Sequence, residues 1–257
     1  MATPCSSTER RGPFHPERPT EPVPRRAVEV VVNMAMTADG KVATAGREIV
    51  SFGSPHDQRA LYALRATADA LLCGARTVEE TAATLGTGSK AFLAARRRAG
   101  LSPEALRVVV SGTGSLSSDA ALWRSSGAPI VVLTSEMASE TQRERLRNLG
   151  AQVWKSPGEG LDLSAALDWL AREHGVRRVV AEGGGVLNAA LIAADRVDEV
   201  RLTLVPRVFG GAASPTITDG PVADALADAA RFRLVSLRAV GDERFLRYRR
   251  IARADRE

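Results

Sequence analysis

Cysteine and histidine are scarce in this sequence. It has two cysteines, Cys5 and Cys73, and three histidines, His15, His56 and His174, in 257 residues. The cysteines are far apart, so we expect neither a disulfide framework nor a zinc cluster. The histidines fall in the N-terminal segment or near the ends of predicted helices, which argues against a histidine triad or a metal site. The H-x-E and P-C-x-x-C pair of zinc deaminases is also missing.

Long apolar runs are missing as well. No stretch reaches the roughly 18 residues of a membrane span, and Met1 to Arg11 lacks the apolar stretch of a signal peptide. We therefore expect a cytoplasmic protein with no membrane partner. The net charge is +5, and residues 1–26 hold five arginines against three glutamates. The remaining charge is scattered and forms no basic stripe with aromatics, so nucleic acid is not an expected partner.

Aromatic residues make up only 4% of the chain, whereas 44% of it is hydrophobic. The core must therefore consist mainly of aliphatic residues, which suits a sheet covered by helices. Residues 1–26 contain six prolines among polar residues and are predicted to be a disordered tail. No repeat or linker divides residues 27–257, so we expect one domain there.

Strand and helix patterns alternate along that domain, which predicts an α/β fold with a largely parallel sheet and helices on both faces. Beyond Asp198 the pattern is strand-like only, so antiparallel strands are expected to complete the sheet. The predicted strands before Asp198 are Val28–Val32, Ala70–Cys73, Arg107–Val110, Ile130–Leu133, Gln152–Trp154 and Val176–Ala181, and those after it are Glu199–Val205, Phe232–Val240 and Arg244–Ile251. The predicted helices include Asp57–Ala68, Ser139–Leu149 and Leu163–His174.

Three consecutive glycines follow one of these strands. The segment Ala181 to Asn188 reads A-E-G-G-G-V-L-N, and a helix is predicted to begin near Val186. A glycine turn before a helix can hold a pyrophosphate, because the backbone approaches closely and free N–H groups face the anion. A tight turn without a ligand is the alternative. Glu182 favours a site, since it lies where a strand delivers side chains to the carboxyl edge of the sheet.

Two further segments have both a structural and a functional interpretation. Asn33 to Lys41 is predicted to leave the first strand and turn at Asp39-Gly40, either as a plain turn or as a loop over a ligand pocket. Arg65 lies on an apolar helix and either pairs with Asp69 or clamps an anion. Thr77, at a helix start, is either a cap or a ligand contact.

Taken together and in order, four segments resemble the riboflavin-biosynthesis pyrimidine reductases, which form the C-terminal reductase domain of a bifunctional deaminase/reductase. The segments are Asn33 to Lys41, Leu64 to Val78, Ala181 to Asn188 and Leu204 to Gly211. The resemblance implies a dihydrofolate-reductase-like fold, a homodimer, and NADPH-dependent reduction of a ribosylaminopyrimidine 5′-phosphate to its ribityl product. A small phosphorylated molecule is therefore the expected substrate, and hydride transfer from the cofactor requires no metal.

The same resemblance assigns roles to individual residues. The implied catalytic residues are Glu182, Asp39 and Lys41. The implied cofactor contacts are Ala35, Thr77, Ser111, Gly183, Gly184, Gly185, Val186, Leu187 and Asn188. The implied substrate contacts are Ile49, Arg65, Leu85 and Glu182.

The segment after Thr77-Val78 departs from the family pattern, in which an acidic stretch and an arginine usually follow. Thr81 stands in place of the acid and Gly88 in place of the arginine. An arginine there would grip the substrate phosphate, and Lys90 is a less directional substitute. A dihydropterin or dihydrofolate reductase of the same fold and a catalytically inactive nucleotide-binding module therefore stay open as alternatives.

Overall fold

The computed structural model describes residues 27–46 and 52–251. The predicted N-terminal tail lies outside these ranges. The strands are β1 (Glu29–Thr37), β2 (Ala70–Gly74), β3 (Leu106–Val110), β4 (Ile130–Thr134), β5 (Ala151–Lys155), β6 (Arg178–Ala181), β7 (Glu199–Val205), β8 (Phe232–Val240) and β9 (Glu243–Arg250). The α-helices are α1 (Pro55–Arg65), α2 (Ala75–Glu80), α3 (Lys90–Arg98), α4 (Ala121–Arg124), α5 (Glu140–Asn148), α6 (Leu163–His174) and α7 (Gly185–Ala193), and a short 3-10 helix spans Leu226–Asp228.

All nine strands form one sheet in the order β5-β4-β3-β2-β6-β1-β7-β9-β8. Among the described strands, β9 pairs antiparallel with β7 and with β8, and the other pairs are parallel. The expected α/β fold is therefore confirmed. Strand β7 joins the two parts of the sheet, because it runs parallel to β1 on one side and antiparallel to β9 on the other.

The two faces of the sheet are packed separately, as the period-2 alternation of strands requires. In β2, Leu72 belongs to a cluster with residues of α6 and α7, whereas Leu71 belongs to a cluster that includes Leu64 of α1 and Leu146 of α5. Helices therefore cover both faces. Their apolar contacts hold the carboxyl ends of the parallel strands at one edge.

Local signals in the sequence explain several element boundaries. Ser54 caps α1 by accepting hydrogen bonds from the backbone N–H groups of His56 and Asp57. Strand β1 continues to Thr37 because it pairs with β7 over that stretch, so the predicted loop begins at Ala38, five residues later than Asn33. Helix α2 begins at Ala75, which places Thr77 within its first turn and makes Gly74 the cap residue. In the parts of the chain that are described, no helix combines the length and apolar character needed to span a bilayer.

Candidate active site

The carboxyl ends of β2 and β6 meet at the glycine segment. The backbone N–H of Gly74, the last residue of β2, donates to the carbonyl oxygen of Gly183 over 3.0 Å. Thr77, two residues into α2, has its hydroxyl oxygen close to Gly184. The predicted cofactor residues Thr77 and Gly183 to Gly185 are thus brought together from two strands.

Each glycine of the segment is packed too closely to carry a side chain. A Cβ at Gly183, whose φ is +95°, would lie 2.8 Å from Met34 Sδ. A Cβ at Gly184 would lie 2.9 Å from Thr77 Oγ1, and one at Gly185 would lie 2.6 Å from Asp219 Oδ2. The Gly183–Gly184 peptide bond is cis. The glycines therefore form a narrow cradle lined by backbone.

The helix that leaves this cradle begins without a side-chain cap. Gly184 is the N-cap residue of α7 and has no side chain to accept a hydrogen bond from the first turn. The N–H groups of that turn carry the positive end of the helix dipole. Val186, in the same turn, is 65% exposed, so the turn is open to a ligand. This arrangement suits an anionic group such as a pyrophosphate.

The next two predicted residues of α7, Leu187 and Asn188, are both buried. Leu187 is buried in the core beneath the sheet. Asn188 is 1% exposed, and its Nδ2 donates to the carbonyl oxygen of Ile217 over 2.8 Å. Within the described residues, Asn188 Oδ1 is buried and has no hydrogen-bond partner. A buried acceptor without a donor is unusual in a folded protein, and it would be satisfied by a donor of a bound ligand.

Arg65 and Glu182 form a bidentate ion pair across 117 residues of sequence. Arg65 Nε donates to Glu182 Oε1 over 2.6 Å, and Nη2 donates to Oε2 over 2.5 Å. Both side chains are 10% exposed. Burial acts to lower the pKa of Arg65, but the adjacent Glu182 carboxylate raises it above its usual value. The alternative pairing with Asp69 was wrong, because Asp69 accepts from the backbone N–H groups of Arg177 and Arg178.

An aromatic wall supports this ion pair. The Arg65 guanidinium lies over the Tyr62 ring at 5.2 Å, and Tyr62 stacks on Phe92 with ring centroids 6.1 Å apart. Gly88 has a φ of +90°, and a Cβ there would lie 2.5 Å from the Tyr62 ring. The Tyr62 ring thus fills the space in which a side chain at position 88 would begin, which explains why this chain has glycine there.

The predicted catalytic residues Asp39 and Lys41 lie in the turn after β1 and make backbone contacts. Asp39 accepts hydrogen bonds from the N–H groups of Phe209 (3.2 Å) and Gly210 (2.7 Å). The Thr37 hydroxyl, followed by the Gly210 N–H, lowers the pKa of the Asp39 carboxyl. Lys41 Nζ donates to the carbonyl oxygen of Ser214 over 3.2 Å. Both side chains thus hold the turn against the segment that follows β7, and their catalytic roles stay predictions.

That following segment, Ser214 to Asp219, was not foreseen from the sequence. Lys41 forms an isolated antiparallel bridge with Thr216. Asp219 accepts from the N–H of Thr216 over 2.9 Å, and both residues pack against Gly185. The segment therefore links the turn after β1 to the start of α7. Its polar residues carry no pattern that would identify this role in advance.

The remaining predicted residues are distributed unevenly. Ala35 lies in β1 opposite Thr203 and is partly exposed. Ser111 follows β3 and is 5% exposed. Leu85 is 1% exposed with a φ of +54°, and its side chain belongs to the core. Ile49 lies outside the described residues.

Asp57 is a candidate that the sequence interpretation missed. It lies in the first turn of α1, beside Gly53, whose missing side chain leaves room for the carboxylate. Burial raises the pKa of Asp57, a hydrogen bond with Thr203 lowers it, and the charge of Glu243 raises it further, so that the net shift is upward. An acid with a raised pKa can hold a proton that a reaction consumes. The acidic position after Ser54-Pro55 was visible in the sequence, but its neighbour Thr203 is 146 positions away.

The described residues contain no group of histidine, cysteine or acidic side chains that could hold a metal ion. At the carboxyl edge of the sheet the described residues provide four features: the glycine cradle, the uncapped start of α7, the unpartnered amide oxygen of Asn188 and the buried Arg65–Glu182 pair. The cradle and helix start fit a nucleotide cofactor that contains a pyrophosphate, and the ion pair fits a polar organic molecule.

Comparison with known proteins agrees with this arrangement. The family described as RibD C-terminal domain matches residues 28–246. The chain is 34% identical over 191 residues to the 2,5-diamino-6-ribosylamino-4(3H)-pyrimidinone 5′-phosphate reductase of Archaeoglobus fulgidus, covering 74% of this chain and 86% of the relative. It is 31% identical over 220 residues to the reductase of the same name from Methanothermobacter thermautotrophicus, covering 85% and 96%.

Among solved structures, RibD of Acinetobacter baumannii is similar in fold, with a TM-score of 0.72 at 19% identity, over 88% of this chain and 58% of the other. The match to the family covers nearly all of the predicted domain, and the resemblance seen in the four sequence segments is confirmed. The chain therefore belongs to the RibD C-terminal domain family.

Proposed function

We propose that this protein reduces 2,5-diamino-6-ribosylamino-4(3H)-pyrimidinone 5′-phosphate to its ribityl counterpart, with NADPH as the hydride donor, as a step of riboflavin biosynthesis. The observation that carries the proposal is the glycine cradle at Gly183 to Gly185, which opens onto the uncapped start of α7 beside the Arg65–Glu182 pair. The names of the two archaeal relatives support the choice of substrate.

The cradle is the part of the site that fits the cofactor. Its N–H groups and the helix dipole would hold the pyrophosphate, Thr77 Oγ1 lies beside Gly184, and Asn188 Oδ1 would accept a hydrogen bond from a cofactor amide. When bound, NADPH supplies the hydride, so the protein needs neither a metal nor a nucleophile. Its own contribution is to orient the two reactants, which is a large source of acceleration in such reactions.

The ion pair is the part of the site that fits the substrate. Three of the five N–H groups of the Arg65 guanidinium donate to Glu182 and to the carbonyl oxygen of Gly86. The other two N–H groups, together with the outer lone pairs of the Glu182 carboxylate, are available to a ligand. A polar heterocycle can be bound by such a mixed donor and acceptor surface. In this role Glu182 and Arg65 act as one preorganised unit. Asp57, whose pKa is raised by burial, is the acid to which we assign the proton that accompanies the hydride.

The direct test is oxidation of NADPH, followed by its absorbance, with the diamino pyrimidinone phosphate, its deaminated form and dihydrofolate supplied separately. We expect turnover with the diamino compound and a lower kcat/KM with the deaminated one. Preference for dihydrofolate would replace the proposal with the pterin reductase alternative. Binding of NADPH without turnover of any of the three would indicate a nucleotide-binding module.

A variant of Glu182 tests whether this residue serves the substrate and not the cofactor. Glu182→Gln keeps the shape but weakens the bidentate pair, so we expect kcat/KM to fall by about 100-fold or more, while the Kd for NADPH changes little. Glu140→Gln is the matched control, because Glu140 also contacts two arginines but lies on the exposed helix α5. An equal loss of NADPH affinity and turnover would contradict the assignment of Glu182 to the substrate.

We also propose that two copies associate through β8. This edge strand exposes Leu234 (51%), Val235 (44%) and Leu237 (57%), which is a high apolar content for an edge strand. On the same face as Leu237, an apolar cavity of about 650 Å³ lies between β7, β9 and the segment after Ile217. We expect a dimer by light scattering that Leu237→Lys converts to a monomer. A wild-type monomer at micromolar concentration would contradict this.

A further inference from the structure

Arg96, in α3, is a charged residue in a fully buried position. It is 0% exposed, and within the described part of the chain its guanidinium bonds to backbone carbonyl oxygens and to no carboxylate. Burial lowers its pKa, against weaker opposing effects of Asp69 and Glu104. Removing a guanidinium from water is costly unless it gains well-placed partners. The position of those partners therefore indicates what this arginine does.

Two of the three partners lie where α1 ends. Arg96 Nη1 donates to the carbonyl oxygen of Arg65 over 3.0 Å and to that of Ala68 over 2.5 Å. Nε donates to the carbonyl oxygen of Ser102 over 2.9 Å. The last carbonyls of a helix favour a nearby cation, and the Arg65 carbonyl oxygen is shared between Arg96 and the backbone N–H of Ala68, 3.1 Å away. Arg96 thus fixes the backbone at the last residue of α1 and the turn that follows it.

That last residue is the one whose side chain reaches the site. The Arg65 guanidinium is held at its far end by Glu182 and Gly86 and along its face by Tyr62. Its main chain is held by Arg96. Because the bidentate pair needs two aligned N–H···O contacts, a shift of the Arg65 backbone by a fraction of an ångström would misalign it. The backbone anchor and the ion pair are therefore parts of one arrangement.

We propose that Arg96 is a positioning residue for substrate binding, which acts by holding the Arg65 carbonyl so that the Arg65 guanidinium meets Glu182 in the geometry that the substrate requires. This inference rests on the proposed function. Arg96 does not itself touch the cradle, so it affects the substrate and not the cofactor. An apolar residue in its place would keep the packing of α3 but would lose the directional contacts to α1.

The chain offers a matched control. Arg107, in β3, is also buried (6% exposed) and also donates to backbone carbonyls, those of Ala128 (2.7 Å) and Leu122 (3.3 Å). Burial lowers its pKa as well. Within the described residues, no hydrogen bond joins its partners Ala128, Leu122 and Ser125 to Arg65. Variants Arg96→Met and Arg107→Met therefore both remove a buried guanidinium that bonds to backbone carbonyls. Only Arg96→Met removes the contact with the Arg65 carbonyl oxygen.

The experiment is a double-mutant cycle on the full chain, with Arg65→Lys as the second change. We expect Arg96→Met to raise KM for the diamino pyrimidinone phosphate by about tenfold with a smaller effect on kcat, and to leave the Kd for NADPH unchanged. In the Arg65→Lys background the same change should alter KM by less than about twofold, because the anchored group is already gone. Arg96→Lys should restore part of the wild-type KM. Equal effects of Arg96→Met in both backgrounds, or an equal effect of Arg107→Met, would overturn the proposal.

A second readout does not depend on turnover or on folding of the methionine variant. The Arg65 Nε–H resonance, assigned by its loss in Arg65→Lys, should be shifted and protected from exchange in the wild type by its contact with Glu182. We expect Arg96→Lys to change this resonance and Arg107→Lys to leave it unchanged. An unaltered resonance in Arg96→Lys would overturn the positioning role. A wild-type enzyme that is inactive on the pyrimidine but shows the expected resonance change would contradict the proposed function and not the connection between Arg96 and Arg65.

Discussion

The two halves of the sheet are built differently. Strands β2, β3 and β4 are buried on both faces and consist almost entirely of aliphatic residues. Strands β7, β9 and β8 are apolar on one face and charged on the other, where Arg201, Arg247 and Arg249 surround the fully buried carboxylate of Glu199. The first half gains its stability from apolar burial. The second half depends on a cluster of ion pairs, in which the loss of one member leaves the buried charges of the others uncompensated.

The candidate site lies where the two halves join. β6 and β1 are the middle strands of the sheet, and the glycine cradle, Glu182 and Ala35 are at their carboxyl ends. From the aliphatic half come Arg65 and Thr77, and from the charged half comes Thr203, which contacts Asp57. The aliphatic half can hold the cradle rigidly, while the charged half supplies a hydrogen bond to Asp57 through Thr203. The following variants test this division.

The largest effect is expected at Glu199. Burial acts to raise its pKa, but Arg201 and Arg247 hold the pKa of Glu199 below its usual value. Glu199→Gln leaves buried guanidiniums without their anion, so we expect a loss of about 3–5 kcal/mol in the free energy of unfolding at neutral pH. Because the pKa is lowered in the folded state, this contribution is complete above the ordinary glutamate pKa and disappears as the pH falls through the lowered value.

Denaturant titrations of Glu199→Gln between pH 3 and 8 check this expectation. Glu140→Gln is the control on the aliphatic side, where α5 carries an exposed carboxylate with two arginine partners. We expect almost no change in its unfolding midpoint. Equal losses in the two variants would mean that burial of the cluster does not matter.

A smaller but clear contrast is expected between two leucines. Leu71 in β2 is 0% exposed, whereas Leu237 in β8 is 57% exposed. Leu71→Ala should cost about 2–5 kcal/mol because it removes buried contacts and leaves a cavity. Leu237→Ala should change the free energy of unfolding of the isolated chain by less than about 0.5 kcal/mol. Calorimetry at low protein concentration measures both. A large loss at Leu237 would show that a second copy covers β8 even there.

The same contrast explains what the sequence predicts. Strands β2, β3, β4 and β6 are recognisable because they are short, mainly aliphatic runs, and helix α6 matches its predicted bounds, Leu163–His174. The end of β1 was misjudged because Asn33, of a residue type depleted in strands, interrupts the apolar run, and the strand continues through pairing with β7. The predicted antiparallel strands at the C-terminal end are present. The sequence did not indicate that β7 also pairs parallel with β1, since alternation of side chains is the same in parallel and antiparallel strands.

The candidate site divides along similar lines. The glycine segment and Glu182 could be predicted because strand, glycines and helix follow one another in sequence. The pairing of Arg65 with Glu182 could not, because it joins positions 117 residues apart. The backbone anchor at Arg96 gave no sequence signal either, since an arginine near the end of a helix is normally exposed. The roles of these residues in catalysis stay predictions that the variants address.

The smallest expected effect is on the pH dependence of the free energy of unfolding, for which variants of two aspartates should show opposite trends. Asp57 has a raised pKa in the folded state and Asp39 a lowered one. The folded protein therefore holds the Asp57 proton above the pKa of the unfolded chain, so ionisation of Asp57 makes the fold less stable as the pH rises from about 4 through the raised value. Asp57→Asn removes this penalty, and its stability relative to the wild type should rise over that pH interval.

Asp39→Asn should show the opposite trend. The wild type gains stability from the Asp39 carboxylate above its unfolded pKa and loses it as the pH falls through the lowered value, so the deficit of the variant should shrink towards acid pH. Urea titrations of both variants and the wild type over the same pH series measure the two slopes. If the two slopes have the same sign, then folding does not raise the pKa of Asp57, and the argument for Asp57 as the acid that supplies the proton is lost.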